Sequence, residues 1–369
     1  MAPTKLFLEE MRPGEIADCC ARDVPLLLPV GVLENHGYHN PCGLDLLCSR
    51  GTCELVAERI EAVVAPALSY GPGVDAVGSP SMGSLEVGYK EYLPHAQAVV
   101  AGLVKMGWYN IFIVCHHQGE GGQQALCMKL IAANLSLGVP NEEHPHWWGS
   151  LSPNDERPRS PSIQVLAAQA GRTLEPEYNH VGHGNYYETA AILGLYPNAV
   201  DVSELASGRH EDTPWFGTHQ FADGADVNAG KSAKDATEAF GTALVDAWAA
   251  SLAAEVLQRS GLPVPDDLGE FKRGCAQPSP GRRVHCPRAM QLDQMRPGQI
   301  QDAAARGVPI LLPIGVLENH GYHLPCGVDL VCASEWRPGP ANVSSYCCCV
   351  VRLMFATVSL AQHDCHCWV

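Results

Sequence analysis

The segment Leu26-Leu27-Leu28-Pro29-Val30 is apolar at every position and runs into Glu34-Asn35-His36-Gly37-Tyr38-His39-Asn40-Pro41-Cys42-Gly43-Leu44-Asp45. An uninterrupted apolar run has no solvent-facing side, so the strand it forms must be covered on both faces. That is the condition of a strand in a parallel sheet between two layers of helices. The polar loop leaves the strand at its end, where open α/β sheets place their sites. It carries a carboxylate, two imidazoles and a second carboxylate, all donors for hard or borderline metal ions.

The rest of the first 259 residues keeps this rhythm. Ala62–Leu68 and Ile111–Cys115 are further apolar runs that read as buried strands. Ser49–Glu61, Ser84–Met106 and Gly121–Leu137 carry apolar residues at helical spacing, and Ala229–Arg259 is Ala-rich and amphipathic. The alternation predicts a layered α/β domain with a mostly parallel sheet over residues 1–259. Two stretches interrupt it. Pro140–Ser162, with Trp147-Trp148, has the length and polarity of a lid or an interface arm, and residues 260–288 have those of a linker.

Beyond the linker the opening segment returns. Met11–Ser49 aligned with Met295–Ala333 is identical at 28 of 39 positions, which makes residues 289–333 a partial repeat. It brings Glu318, His320 and Asp329 to the places of Glu34, His36 and Asp45 but has no copy of the later motifs. Three donors from one loop do not close two coordination spheres. Residues 334–369 lose the βα rhythm and include Cys347-Cys348-Cys349, whose spacing is not that of a paired CxxC site. This tail is expected to be disordered.

The net charge of −16 leaves no basic surface for nucleic acid and argues against anionic membranes. Neither a signal peptide nor an apolar run of about 18 residues is evident, so no membrane association is expected. Of the 16 cysteines, nine follow residue 270 and five lie in the last 35 residues. The earlier ones sit singly in apolar or site-adjacent positions, the pattern of buried thiols in a reducing compartment rather than of a disulfide scaffold. The expected location is the cytoplasm, and the expected assembly a homo-oligomer.

Three groups of residues carry chemistry. Glu34, His36 and Asp45 form the first, with His39 placed to orient the site rather than to ligate. A carboxylate on a short stem, such as Asp45, has two oxygens with which to bridge two ions. The second is His116-His117-Gln118-Gly119-Glu120-Gly121-Gly122, where a strand end meets a Gly-rich turn. The third runs from His180-Val181-Gly182-His183 to Glu188, entering the apolar helix Ala190–Leu195. The residues alone leave open whether His116 or His117 ligates, and whether Glu120 or Glu188 completes a second ion.

These groups resemble the motifs of the creatininase family of metal-dependent amidohydrolases. Its signature is approximately Pro-Val-Gly-Ser-x-Glu-Gln-His-Gly-Pro-His-Leu-Pro-Leu-Gly-Thr-Asp, and Glu34, His36, His39 and Asp45 fall on its polar positions. Pro80-Ser81-Met82-Gly83-Ser84-Leu85 is similar to its Pro-Gly-Thr-x-Ser-Leu element. His117 with Gly121-Gly122-Gln123, and His180-Val181-Gly182 with Glu188-Thr189, echo two later motifs in the same order over about residues 10–250. Cys115-His116 replaces an Asn-Gly pair, and Pro176-Glu177 stands where the family carries a substrate-binding Trp.

The resemblance implies a three-layer α/β/α fold and a hydrolase with two divalent ions, Zn²⁺ first, with Mn²⁺ or Fe²⁺ also suited to the ligands. It assigns Glu34, Asp45 and His117 to one ion and His36, Asp45 and Glu188 to the other. His180 is the candidate proton donor, and Glu188 is counted with it in the catalytic set. The implied reaction is cleavage of a C–N bond in a small cyclic or linear amide, with a pocket unlike that for creatinine. C–C cleavage of a cyclic ketone, of the inosose type, and a decayed or non-catalytic metal-binding chain are the alternatives.

Overall fold

The computed structural model describes residues 6–74, 83–118, 121–137, 161–169, 183–206, 231–265, 267–268, 291–308, 310–314, 316–318, 322–327 and 349–353. Four strands, β1 (Leu26–Val30), β2 (Val63–Val64), β3 (Asn110–Cys115) and β4 (Ser162–Ala167), form one sheet in the order β2-β1-β3-β4. Every pairing is parallel, and β1 lies on β3 from Leu26↔Ile111 to Val30↔Cys115.

Alternation along the strands builds a core on each face. Leu27, Phe112 and Val114 pack with α2 (Leu44–Arg59), α5 (Tyr186–Leu195) and α6 (Glu238–Arg259). Leu26, Leu28, Ile111 and Ile113 pack with α1 (Pro13–Ala21), α3 (Tyr89–Met106) and α4 (Gln123–Leu137). The result is the α/β fold expected from the apolar runs, with helices on both faces of the sheet. By length and composition α6 matches a membrane span, but Leu244, Trp248 and Leu252 are buried in the first core, which makes it a core helix.

Element boundaries differ from the expectation in instructive ways. The helix expected from Ser49 begins at Leu44, so Asp45 lies in its first turn rather than on the loop. An acidic side chain there complements the helix dipole. The strand expected over Ala62–Leu68 contracts to β2, with Leu68 joined to Val30 by a single bridge. Pro66 lacks the N–H a ladder needs. The helix expected from Ser84 starts at Tyr89, because Leu85 instead bridges Leu33. The helix expected from Ala229 starts at Glu238, where the Thr237 hydroxyl accepts from the Phe240 N–H at 3.2 Å. Strand β4 is an element the periodicity did not single out.

The partial repeat forms α7 (Pro297–Ala305) and β5 (Ile310–Ile314). β5 pairs antiparallel with β6 (Cys349–Leu353), in a two-stranded sheet separate from the main one. β6 lies in the Cys-rich tail. The rest of residues 334–369, most of 260–288 and residues 140–160 of the expected lid are outside the described residues.

Candidate metal centre

The centre lies past the ends of β1 and β3. Gly31 lets the start of α2 close onto the end of β1, since a Cβ there would stand 2.5 Å from the Leu46 nitrogen and 2.9 Å from the Asp45 carbonyl carbon. Asp45 is thereby brought beneath the loop that carries Glu34 and His36. The Asn35 N–H donates to Ser84 Oγ at 3.0 Å, the Gly37 N–H to Asn35 Oδ1 at 2.8 Å, and the Glu34 N–H to the Cys42 carbonyl at 2.8 Å. The Pro80–Leu85 element, described from Gly83, thus meets the first motif through Ser84.

Each side chain then has a fixed place. His36 Nδ1 lies 3.1 Å from the Glu34 carbonyl and donates to it, which leaves the lone pair on Nε2. His117 Nδ1 is 3.0 Å from Asp45 Oδ2 and 3.2 Å from Glu34 Oε2. Its neighbour His116 lies 3.3–3.4 Å from the Gln169 side-chain nitrogen and packs against Trp248 at 5.8 Å. His117 is therefore the imidazole that meets the carboxylates. Asn185 caps α5 by accepting from the Glu188 N–H at 3.1 Å, and Glu188 Oε2 accepts from the Gly184 N–H at 2.5 Å. This aims the Glu188 carboxylate at His36 Nε2, 4.0 Å away.

His39 lies outside the donor groups found among the described residues and touches α5 instead. Its Nε2 lies 3.1 Å from both the Gly184 carbonyl and Thr189 Oγ1, which ties the first loop to the start of α5. His180 and Glu120 lie outside the described residues. His183, part of the third motif, enters the centre. Its ring stacks on His36 at 4.0 Å, its Nε2 reaches the Asn35 carbonyl at 2.7 Å, and its Nδ1 stands 3.9 Å from Glu34 Oε2. The signal for it was its place just before the Asn185 cap, at the same helix end as Glu188.

The donor atoms group into Glu34–Asp45–His117, His36–Asp45–Glu188 and Glu34–His36–His183, each set lying within 4.8 Å. A metal fits this arrangement. His36 Nε2 is buried without a hydrogen bond, yet carboxylate oxygens of Asp45, Glu34 and Glu188 surround it at 3.7, 3.8 and 4.0 Å. Ligand bonds of about 2.0–2.2 Å set two donors on one ion roughly 3–4 Å apart. Three converging carboxylates also repel one another unless positive charge lies among them.

The electrostatics carry the same strain. Burial raises the Glu34 carboxyl and pushes Glu188 up to about 7. Burial and the charge of His183 take His36 down to about 3. Burial opposes the charging of both Asp45 and His117, but each overcomes it through the other. The imidazoles of His36 and His117 hold Asp45 well below the usual carboxylate range, and Asp45 carries His117 up to about 11.

Comparison with known proteins identifies the family. A family model described as creatininase, creatinine amidohydrolase, matches residues 9–256 and also 293–348. The creatinine amidohydrolase of Pseudomonas putida is 49% identical over 207 residues, which cover 51% of this chain and 71% of that protein. A crystal structure of creatinine amidohydrolase superposes with a TM-score of 0.51 at 22% identity, over 70% of this chain and 99% of that one. A mutant creatininase of Zn-Zn type gives a TM-score of 0.50 at 22% identity, covering 69% of this chain and 98% of that one. A creatininase with Mn gives the same four values. The structural likeness shows the fold, and the family model spans most of the sequence. The chain belongs to the creatininase family of hydrolases.

Proposed function

We propose that this chain hydrolyses a C–N bond in a small cyclic or linear amide at a centre of two divalent ions. Glu34, Asp45 and His117 hold one ion, and His36, Asp45 and Glu188 hold the other. The observation that carries this is the division of Asp45 between two imidazoles. Its Oδ2 lies 3.0 Å from His117 and its Oδ1 3.7 Å from His36, with Glu34 and Glu188 on either side. Relatives solved in Zn-Zn and Mn forms support either metal here.

When bound, such ions acidify a water and polarise a carbonyl. The residues do the remaining work. Asp45 fixes the two donor sets against each other, and His39 and Asn185 hold the loop and the α5 cap that present them. The imidazole of His180 delivers the proton to the leaving nitrogen. Buried cysteines such as Cys48 and Cys53, which form no disulfide, support the cytoplasmic placement.

The test is turnover of a panel of small amides and cyclic ketones by metal-loaded and chelator-treated protein. Amide hydrolysis that is lost on chelation and restored by Zn²⁺ or Mn²⁺ is the expected result. Turnover of ketones alone, or none with both ions bound, overturns the reading. His180→Gln should keep the metal and lower kcat by about 10²–10⁴-fold. Loss of metal in that variant would make His180 a ligand and pass the proton to His183.

A further inference from the structure

The partial repeat does not lie on the domain at random. The Cys42 N–H donates to the Met295 carbonyl at 2.9 Å and the Gly43 N–H to the Asp293 carbonyl at 2.9 Å. In return, the Cys326 N–H donates to the Met11 carbonyl at 2.9 Å and the Gly327 N–H to the Glu9 carbonyl at 3.0 Å. The alignment that pairs Met11 with Met295 also pairs Cys42 with Cys326 and Gly43 with Gly327, and two positions earlier it pairs Glu9 with Asp293. Exchanging the two copies therefore turns one pair of hydrogen bonds into the other. Reciprocity of this kind defines a two-fold, isologous contact.

The close approach is reciprocal as well. A Cβ on Gly43 would stand 2.5 Å from the Asp293 carbonyl oxygen, and one on Gly327 would stand 2.5 Å from that of Glu9. The two copies share the local structure that shapes this face. Each has a 3₁₀ turn, Leu8–Glu10 or Leu292–Gln294, followed by a nine-residue helix with Pro at its start. Each also closes its loop in the same way, with the Glu34 N–H on the Cys42 carbonyl and the Glu318 N–H on the Cys326 carbonyl.

We infer that the surface of Glu9–Met11 and Cys42–Gly43 is a self-association face, and that the partial repeat occupies it in place of a second copy of the domain. The repeat's turn, helix and loop all bond to the first copy or its neighbouring loop, through Asp293, Met295, Gln301, Cys326 and Gly327. Its rim carries charge too, since Arg296 reaches Asp201 at 3.4 Å. Arg12, its counterpart, pairs locally with Glu15 at 2.9 Å and would reach Asp201 of a second copy in a two-fold dimer.

The full-length chain gives the test. Gly327→Val drives side-chain carbons into Glu9 and displaces the repeat while leaving the first copy untouched. Sedimentation should then show a particle of twice the wild-type mass, in a concentration-dependent equilibrium. Gly43→Val displaces the repeat but also blocks a second copy, so its mass should stay at the wild-type value. Because Gly43→Val also touches the start of α2, Arg12→Glu offers an independent check. Added to Gly327→Val it should raise the dimer dissociation constant by roughly tenfold, and alone it should leave the mass unchanged. A Gly327→Val chain that keeps the wild-type mass overturns the inference. So does a folded Gly43→Val chain that associates as strongly as Gly327→Val.

Discussion

At the scale of single residues, the same burial acts on two imidazoles with opposite outcomes. His36 has no hydrogen-bonded carboxylate, so burial and the neighbouring His183 leave it neutral, at about 3. His117 touches Asp45 and Glu34 and is carried up to about 11. Metal ligands must be deprotonated to bind. At pH 7 the metal-free centre thus holds a proton on His117 and shares a further one at Glu188, whose carboxyl titrates at about 7. Metal binding should release these protons, and affinity should fall as pH falls, by up to roughly tenfold per unit for each proton displaced. Titration calorimetry in buffers of different ionisation enthalpy measures the release, and a heat independent of the buffer would contradict it. His39→Ala tests the orienting role, with an expected loss of about 10–100-fold in metal affinity. An unchanged affinity would show that Thr189 and Gly184 hold α5 without it. Glu34, His36 and Asp45 stood out because a loop of carboxylates and imidazoles follows the apolar run Leu26–Val30, whereas the pattern alone left open the choice between His116 and His117 and between Glu120 and Glu188. His183 was not singled out, because its role depends on stacking against His36 across distant parts of the chain.

At the scale of elements, the centre depends on how tightly α2 meets β1. Gly31→Val would press against the Leu46 backbone and lift the turn that carries Asp45. Overpacking of this kind costs about 1–3 kcal/mol. The denaturation midpoint and the metal content should therefore fall together, and a variant that is destabilised but fully metallated would separate the packing from the site. The strands β1 and β3 could be read from sequence, since residues such as Leu27 and Ile113 are apolar on both sides of the sheet. Strand β4 could not, because its first residue, Ser162, is exposed, Gln164 is polar and half-buried, and it has no uniform apolar run. The start of α2 was misplaced by five residues because Leu44–Cys48 looks like a loop until Gly43 ends the turn and Asp45 settles at the helix dipole.

At the scale of the whole molecule, the sequence repeats its opening, and in the proposed reading only the first 259 residues build a centre. The donor groups among the described residues all lie within residues 34–188, and the described part of the repeat serves as a contact. The repetition itself was plain in the sequence. Its reciprocal docking was not, because those hydrogen bonds use backbone atoms that leave no trace in side-chain pattern. Metal content per chain, measured by mass spectrometry on wild type, Asp45→Ala and Asp329→Ala, tests the central claim most directly. The account predicts two ions in the wild type, none in Asp45→Ala because both donor sets lose a shared ligand, and two in Asp329→Ala. Retention of either ion by Asp45→Ala, or a loss in Asp329→Ala, would contradict a single centre bridged by Asp45.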